Sequence, residues 1–350
     1  MNSRERVLTA IARREPDRVP MNLWLTPYLI QRMKQERGAE DVEAYLSMDI
    51  RFIGYRAKPE QNDFSTYTAD FRSDAAVDDW GCGTYPVGTY HFTKAEHPMK
   101  HVAAVEEVER YPFPRREPDI EGMRKRVEAV WDRGLLACSQ YECGTFEQGH
   151  ALMGMEQLLT RMYTNPATVA LLFDRISDVK ARMAAAFVEA GVDILWIGDD
   201  IGMQTGPIMD PEMWRTFLLP PLQKIIKRAR SIRADIPVAY HSCGSVAFAV
   251  EGLIEAGIDI LQSIQPEAND CAELKRKYGD RLSFWGGVGS QSTMSHGTAE
   301  DLKREVKHLK ETVGEGGGYI CSPAHFIEPE TPLENIVAFG EAVEEYGYFK

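Results

Sequence analysis

The feature that most constrains this chain is a rhythm: short β-branched or aromatic runs, each followed by a polar turn and then a helical stretch. Eight such runs occur, at residues 19–25, 49–55, 135–142, 192–198, 236–241, 258–264, 282–287 and 318–321. Several are apolar almost throughout, as strands covered on both faces must be. Helical periodicity fills most of the gaps, for example over 167–190, 211–233, 246–256, 299–313 and 332–346. Eight strands alternating with helices predict an α/β fold, a single parallel (β/α)8 TIM barrel spanning residues 1–350. A doubly wound open sheet is the competitor, but no Gly-rich dinucleotide fingerprint follows the first strand.

Two segments stand outside the rhythm. Residues 1–18 predict a short amphipathic N-terminal helix, with Asn2 as its cap and Glu5 as the partner three residues on. Residues 59–133 are rich in Asp, Gly, Tyr and Pro, as in Asp78-Asp79-Trp80-Gly81-Cys82-Gly83. They read as a β-hairpin plus helix inserted after strand two, forming part of a binding-site wall.

Charge and composition narrow the function classes. With 40 basic against 53 acidic residues the net charge is −13, which argues against nucleic acid or an anionic membrane as partner. No stretch approaches the ~18 apolar residues of a bilayer span. The first residues lack the apolar core of a signal peptide, so a cytoplasmic location is expected. In a reducing compartment the six cysteines, Cys82, Cys138, Cys143, Cys243, Cys271 and Cys321, are expected to bind metal or to be buried rather than to pair.

In such a barrel the active site lies where strands end at their C-terminal side. Strand five ends in His241-Ser242-Cys243, and period two in an extended segment points one imidazole and one thiolate the same way. Cys321 comes 78 residues later, at the end of strand eight on the same rim. Two thiolates and one imidazole make a zinc set with one position open, as in a catalytic site; otherwise these residues are a hydrogen-bonded core histidine and two buried small hydrophobes. Asp199 and Asp200 end strand four, and being adjacent only one should face the mouth. There a carboxylate serves acid–base chemistry or substrate polar groups, or else caps a loop. Glu142 and Glu147 are weaker candidates of the same kind. His325 reads as a general acid or substrate donor, or as a solvated loop histidine. Tyr141, Gln204, Trp24 and Trp285 are candidate substrate contacts around the mouth.

Several blocks together resemble the uroporphyrinogen decarboxylase superfamily: Ser3-Arg-Glu-Arg-Val-Leu8 with Pro16-Asp-Arg-Val-Pro20, Gly198-Asp-Asp-Ile-Gly-Met-Gln204, His241-Ser-Cys-Gly244 and Thr331-Pro-Leu-Glu-Asn335. The resemblance spans essentially the whole chain and implies one (β/α)8 barrel. Decarboxylases of the family carry an Arg-Gln-Ala-Gly-Arg block after the first strand. This chain has Thr26-Pro-Tyr-Leu-Ile-Gln-Arg-Met33 instead, although His325 stands where decarboxylases have the histidine of Gly-His-Gly-Ile. The H-x-C pair with a distant cysteine is similar to the zinc-dependent corrinoid methyltransferase branch. That branch implies Zn2+ on His241, Cys243 and Cys321, with the Gln265 amide oxygen, water or a substrate heteroatom in the fourth position. It also implies a corrinoid (cobalamin) protein docking on the mouth, and transfer of a methyl group between its cobalt and a small methylated substrate such as a methoxylated aromatic, or a thiol acceptor. A homodimer is compatible with it. A uroporphyrinogen decarboxylase-type lyase and a non-catalytic zinc barrel are the alternatives.

Overall fold

The computed structural model describes residues 1–88, 92–141 and 144–349. Its parallel strands are β-branched and aromatic runs with helices between them, so each strand is covered on both faces. Strand β1 (Ile50–Gly54) is followed by an antiparallel meander of β2 (Ala76–Val77), β3 (Gly83–Pro86) and β4 (Thr93–Glu96). The parallel series resumes with β5 (Leu136–Gln140) and β6 (Leu195–Gly198). After a small ribbon, β7 (Gly202–Met203) with β8 (Gly206–Pro207), it continues through β9 (Val238–His241), β10 (Ile260–Ser263), β11 (Ser283–Val288) and β12 (Tyr319–Pro323).

Parallel ladders join β1 to β5 and run β6–β9–β10–β11–β12. Between β5 and β6 a bridge pairs Cys138 with Ile194. The eighth member is the extended segment 19–25, which bridges to β12 through Met21 and Cys321 and passes a hydrogen bond from the Asp49 amide to the Met21 carbonyl. It forms isolated bridges rather than a ladder because Pro20 has no N–H to give. Its anchor is Asp49, fully buried, which accepts from the Met21 amide at 2.8 Å and from Arg6 at 2.7 Å. The result is a (β/α)8 barrel, as the alternation predicts.

Alternating residues fill the inside: Ile50, Leu136, Cys138, Ile194, Ala239, Ile260, Trp285 and Ile320 form one buried cluster, and Val7 of the N-terminal helix Ser3–Ile11 joins it from below. Asn2 and Glu5 close the expected capping box on that helix. The helical stretch at 211–233 is divided into Pro211–Phe217 and Leu219–Arg230, because Pro220 and Pro221 cannot donate to the preceding turn. The insertion holds a three-stranded meander rather than a hairpin, plus the helices Val105–Arg110 and Ile120–Trp131. Its buried Trp80 packs over the ammonium of Lys180, 5.1 Å from the ring centroid. No helix among the described residues is long and apolar enough to cross a membrane.

Candidate active site at the barrel mouth

The end of β9 brings His241 and Cys243 together as period two requires. The Cys243 sulfur lies 3.5 Å from His241 Nε2, and Asp200 Oδ1 lies 3.4 Å from the same nitrogen. The donor atoms of Asp200, His241 and Cys243 fall within 4.8 Å of one another, the one metal-type grouping among the described residues. Backbone geometry permits the approach. Gly244, at φ +74°, turns the chain after Cys243 where a Cβ would meet the Gly202 backbone at 2.5 Å. At Gly198 a Cβ would lie 2.4 Å from the His241 carbonyl.

The ring of His241 is held from behind. Its Nδ1 lies 2.5 Å from Gln262 Oε1, which also accepts from Trp196 Nε1 at 3.2 Å. A carbonyl oxygen can only accept, so Nδ1 carries a proton, and Nε2, which faces Cys243 and Asp200, is the nitrogen that a metal would take on displacing its proton. Such an outer partner is what a metal-binding histidine needs. Sequence reasoning named no role for Gln262; its place opposite His241 in the β9–β10 register was the available signal.

The charges within the group act on one another. Burial works against charge on His241, but hydrogen bonds to Asp200 and Cys243 hold its pKa well above the ordinary value. Burial also opposes the Cys243 thiolate and the Asp200 carboxylate, yet His241 and His325 pull the thiol down, and His241 draws the carboxyl below the usual range. His325 is raised, chiefly by its hydrogen bond to Cys243. Glu147, nearby on the first turn of the helix Thr145–Met153, is pushed up to about 8 by burial and by the charges of Asp199 and Asp200.

The other expected residues divide clearly. Of the adjacent carboxylates, Asp200 faces the group. Asp199 turns away to accept the amides of Thr145 and Glu147, each at 2.9 Å, and so caps the start of the helix Thr145–Met153. Cys321 is not brought to the pair. The strand continues to Pro323, so Cys321 lies within β12 instead of at its end. Its neighbour Ile320 occupies the barrel interior, which turns Cys321 outward into the helix-facing core, fully buried, with its thiol pushed up to about 12 by burial. His325, beyond the strand, is the group from this segment that reaches Cys243. Gln265 is engaged with the loops around it: its Oε1 accepts the Gly244 amide at 2.9 Å and its Nε2 donates to the exposed Gln204 at 3.4 Å.

Tyr141 points into the helix layer and donates to the Lys180 carbonyl, so it is no mouth contact. Glu142 lies outside the described residues. Trp24 lies at the mouth, stacked on Trp196 (5.9 Å) and Trp285 (5.6 Å). Trp285 is fully buried and forms a floor beneath Trp24 rather than a surface for substrate. Two cavities open here. One, of about 420 Å3, contains Cys243, Gln265 and His325 with Glu267, Glu328 and Glu330, and no lysine or arginine among the described residues lines it. The other, of about 550 Å3, contains Trp24 and Phe52. Phe326, which sequence reasoning passed over, lines both, and neither draws a described residue from the insertion.

A family model described as Uroporphyrinogen decarboxylase (URO-D) matches residues 145–346. The chain belongs to the uroporphyrinogen decarboxylase family. Within it, the chain is 32% identical over 179 residues to the methylcobamide:CoM methyltransferase MtaA of Methanosarcina barkeri, covering 50% of this chain and 49% of that protein. It is 27% identical over 199 residues to the uroporphyrinogen decarboxylase of Serratia proteamaculans, covering 56% and 53% respectively. The match thus spans about half the length of these curated relatives. A solved methyltransferase from Methanosarcina mazei superposes with a TM-score of 0.70 at 19% identity over 99% of both chains, which carries the family's fold across the whole length.

Proposed function

We propose that this member of the family moves a methyl group between a small methylated substrate and the cobalt of a corrinoid protein, using a zinc ion held at the barrel mouth. The observation that carries the reading is the convergence of Asp200, His241 and Cys243, with Nε2 of His241 aimed into the group by the hydrogen bond of its Nδ1 to Gln262. Oxygen, nitrogen and sulfur donors of this mixed softness suit zinc. The residues present therefore fit the metal, with Asp200 in the place expected of Cys321.

When bound, zinc supplies Lewis acidity toward the substrate's oxygen, nitrogen or sulfur. The chain's own groups do the rest. Gln262 orients His241, and Asp200 fixes the Cys243 loop by accepting the Cys243 amide at 2.8 Å. A heteroatom that gives up a methyl group keeps the bonding electron pair and takes up a proton. His325, beside Cys243, is placed to deliver that proton to the leaving oxygen or nitrogen. A thiol acceptor runs the sequence in reverse and leaves its proton there. The corrinoid protein is too large for either cavity and would dock on the rim.

The MtaA likeness supports this branch, and the charges of the mouth speak against the decarboxylase one. Arg32, the only basic residue in Thr26–Met33, is occupied by Glu36 at 2.7 Å on an exposed helix. Among the described residues, the cavity at Cys243 offers no lysine or arginine to a polycarboxylate substrate. The test is anaerobic spectroscopy. Zinc-loaded protein is mixed with reduced cobalamin or a corrinoid protein and a panel of methoxyaromatics, methanol, methylamines and methyl thioethers, with thiols tried in reverse. A change from the cobalt(I) to the methylcobalt spectrum is expected with at least one donor. No change in either direction, or steady decarboxylation of uroporphyrinogen, would overturn the reading.

A further inference from the structure

One block of the sequence has no part in the site described above: Thr331-Pro-Leu-Glu-Asn335, at the start of the helix Leu333–Tyr346. Asn335 is 5% exposed, and its Nδ2 donates to two carbonyls, Met294 at 2.9 Å and Gly297 at 2.8 Å. Those carbonyls close the segment that follows β11. There Ser290–Met294 form one turn of π-helix, in which the Met294 amide reaches back five residues to the Gly289 carbonyl at 2.8 Å. Such wide turns are rare, and the carbonyls at their ends need donors from elsewhere. Thr331 holds the turn too. Its hydroxyl lies 3.3 Å from Ser295 Oγ, and Ser295 already gives its one proton to the Ser290 carbonyl at 2.7 Å, so Thr331 is the donor.

The turn also meets the mouth. Ser290 and Ser295 line the smaller cavity with Cys243 and His325, and Ser290 Oγ accepts the backbone amide of His325 at 2.9 Å. On either side of His325 the Ala324 amide donates to the Val288 carbonyl (2.9 Å) and the Ile327 amide to the Trp24 carbonyl (2.7 Å). The Ser290 hydroxyl is thus what fixes the backbone of His325 itself, and the His325 ring hydrogen-bonds Cys243. Asn335 does not line the cavity; it reaches His325 through one turn of backbone and one hydroxyl. We propose that Asn335 is a positioning residue for His325. By holding both carbonyls at the end of the wide turn it keeps Ser290 Oγ on the His325 amide, and so keeps the imidazole against Cys243, where the leaving group takes its proton. The proton delivery rests on the methyl-transfer reading, whereas the positioning does not.

The test begins with hydrogen exchange, which requires no turnover. Histidine-selective 15N labelling and NMR follow the His325 amide, assigned from His325→Gln, with the His241 amide in β9 as internal reference. Asn335→Asp keeps the shape of the side chain and loses the donors, Ser290→Ala loses only the acceptor, and Ser290→Thr retains it. Exchange at His325 should quicken about three- to tenfold in Asn335→Asp and in Ser290→Ala, with His241 unchanged and Ser290→Thr like the parent. The double variant should exchange no faster than Ser290→Ala, because Asn335 acts through that hydroxyl. In methyl transfer Asn335→Asp should lower kcat about tenfold with KM unchanged. Thr331→Val, which removes one hydroxyl at nearly constant shape, carries the same comparison if Asn335→Asp does not fold. Unchanged exchange at His325, effects that multiply in the double variant, or equal quickening at His241 overturns the proposal. So does a parent-level kcat in a variant whose His325 amide has come loose. A parent protein that transfers no methyl group overturns the methyl-transfer reading alone, and the exchange rates still decide the positioning.

Discussion

Replacing Cys321 with serine separates two roles that a cysteine at a barrel strand can play. Cys321 is fully buried and faces the helix layer with Tyr319 and Met21 nearby in the same cluster. Serine there puts a more polar hydroxyl into a fully buried position beside Tyr319, at a cost of about 1–3 kcal/mol. For a chain of this size that lowers the melting temperature by roughly 2–4 °C per kcal/mol. Metal content should not change, because the thiol is turned away from Asp200, His241 and Cys243. Cys243→Ser should behave in the opposite way. The side chain is half-buried at the mouth, so the melt should shift by no more than about 0.5 kcal/mol. Zinc affinity should fall by more than the roughly 10–100-fold that loss of an outer partner costs. Both variants and the parent would be loaded with zinc, passed through a desalting column, analysed for metal by mass spectrometry and melted by circular dichroism. The reasoning is refuted if Cys321→Ser loses its metal as fully as Cys243→Ser while keeping the parent melting temperature.

Three further outcomes follow from the same geometry. Gln262→Leu removes the acceptor behind His241 and should weaken zinc binding about 10–100-fold with the barrel still folded; unchanged affinity in a chelator competition would count against the orienting role. Iodoacetamide at neutral pH should modify Cys243 first, since its thiol is lowered by His241 and His325 against the penalty of burial, and zinc should protect it. Cys321, at about 12 and fully buried, should react only after denaturation, as read by peptide mass spectrometry. Asp199→Ala strips the acceptor from the Thr145 and Glu147 amides and should cost about 1–2 kcal/mol in a thermal melt. Its zinc content should be unaffected; loss of zinc with an unchanged melt would make Asp199 a ligand.

The barrel was legible in the sequence because strands covered on both faces must be apolar runs, and the spacing of those runs is a local property. The pairing of His241 with Cys243 was legible for the same reason, since period two acts over three residues. What the sequence did not show was where the last strand ends and which way Cys321 faces within it. The expected strand 318–321 ends at Cys321, whereas β12 runs to Pro323, and shifting a strand end by two residues moves the rim past the cysteine to His325. Proline usually stops a ladder, but Pro323 sits at the last position, where no further N–H is needed. The division of labour between Asp199 and Asp200 was foreseen in kind only, because the helix that Asp199 caps begins more than fifty residues earlier in the chain. Gln262 and Phe326 carried no signal by residue type. Their roles come from neighbours across the barrel: His241 on the adjoining strand, and Trp24 across the mouth.

The ring of strands has its seam between residues 300 positions apart, Met21 and Cys321. The Gly318 amide likewise reaches the Ala10 carbonyl below it. Loop closure over such a span is costly in entropy, and contacts of this separation form late. During synthesis, therefore, His241 and Cys243 emerge and can adopt their strand long before the segment bearing His325 exists to meet them. A chain halted before β12 would leave the apolar faces of segment 19–25 and β11 uncovered, an aggregation-prone edge of the kind that chaperones hold. The mouth is therefore completed by the same event that seals the wall, so a population with a competent site is one in which the whole cylinder has closed.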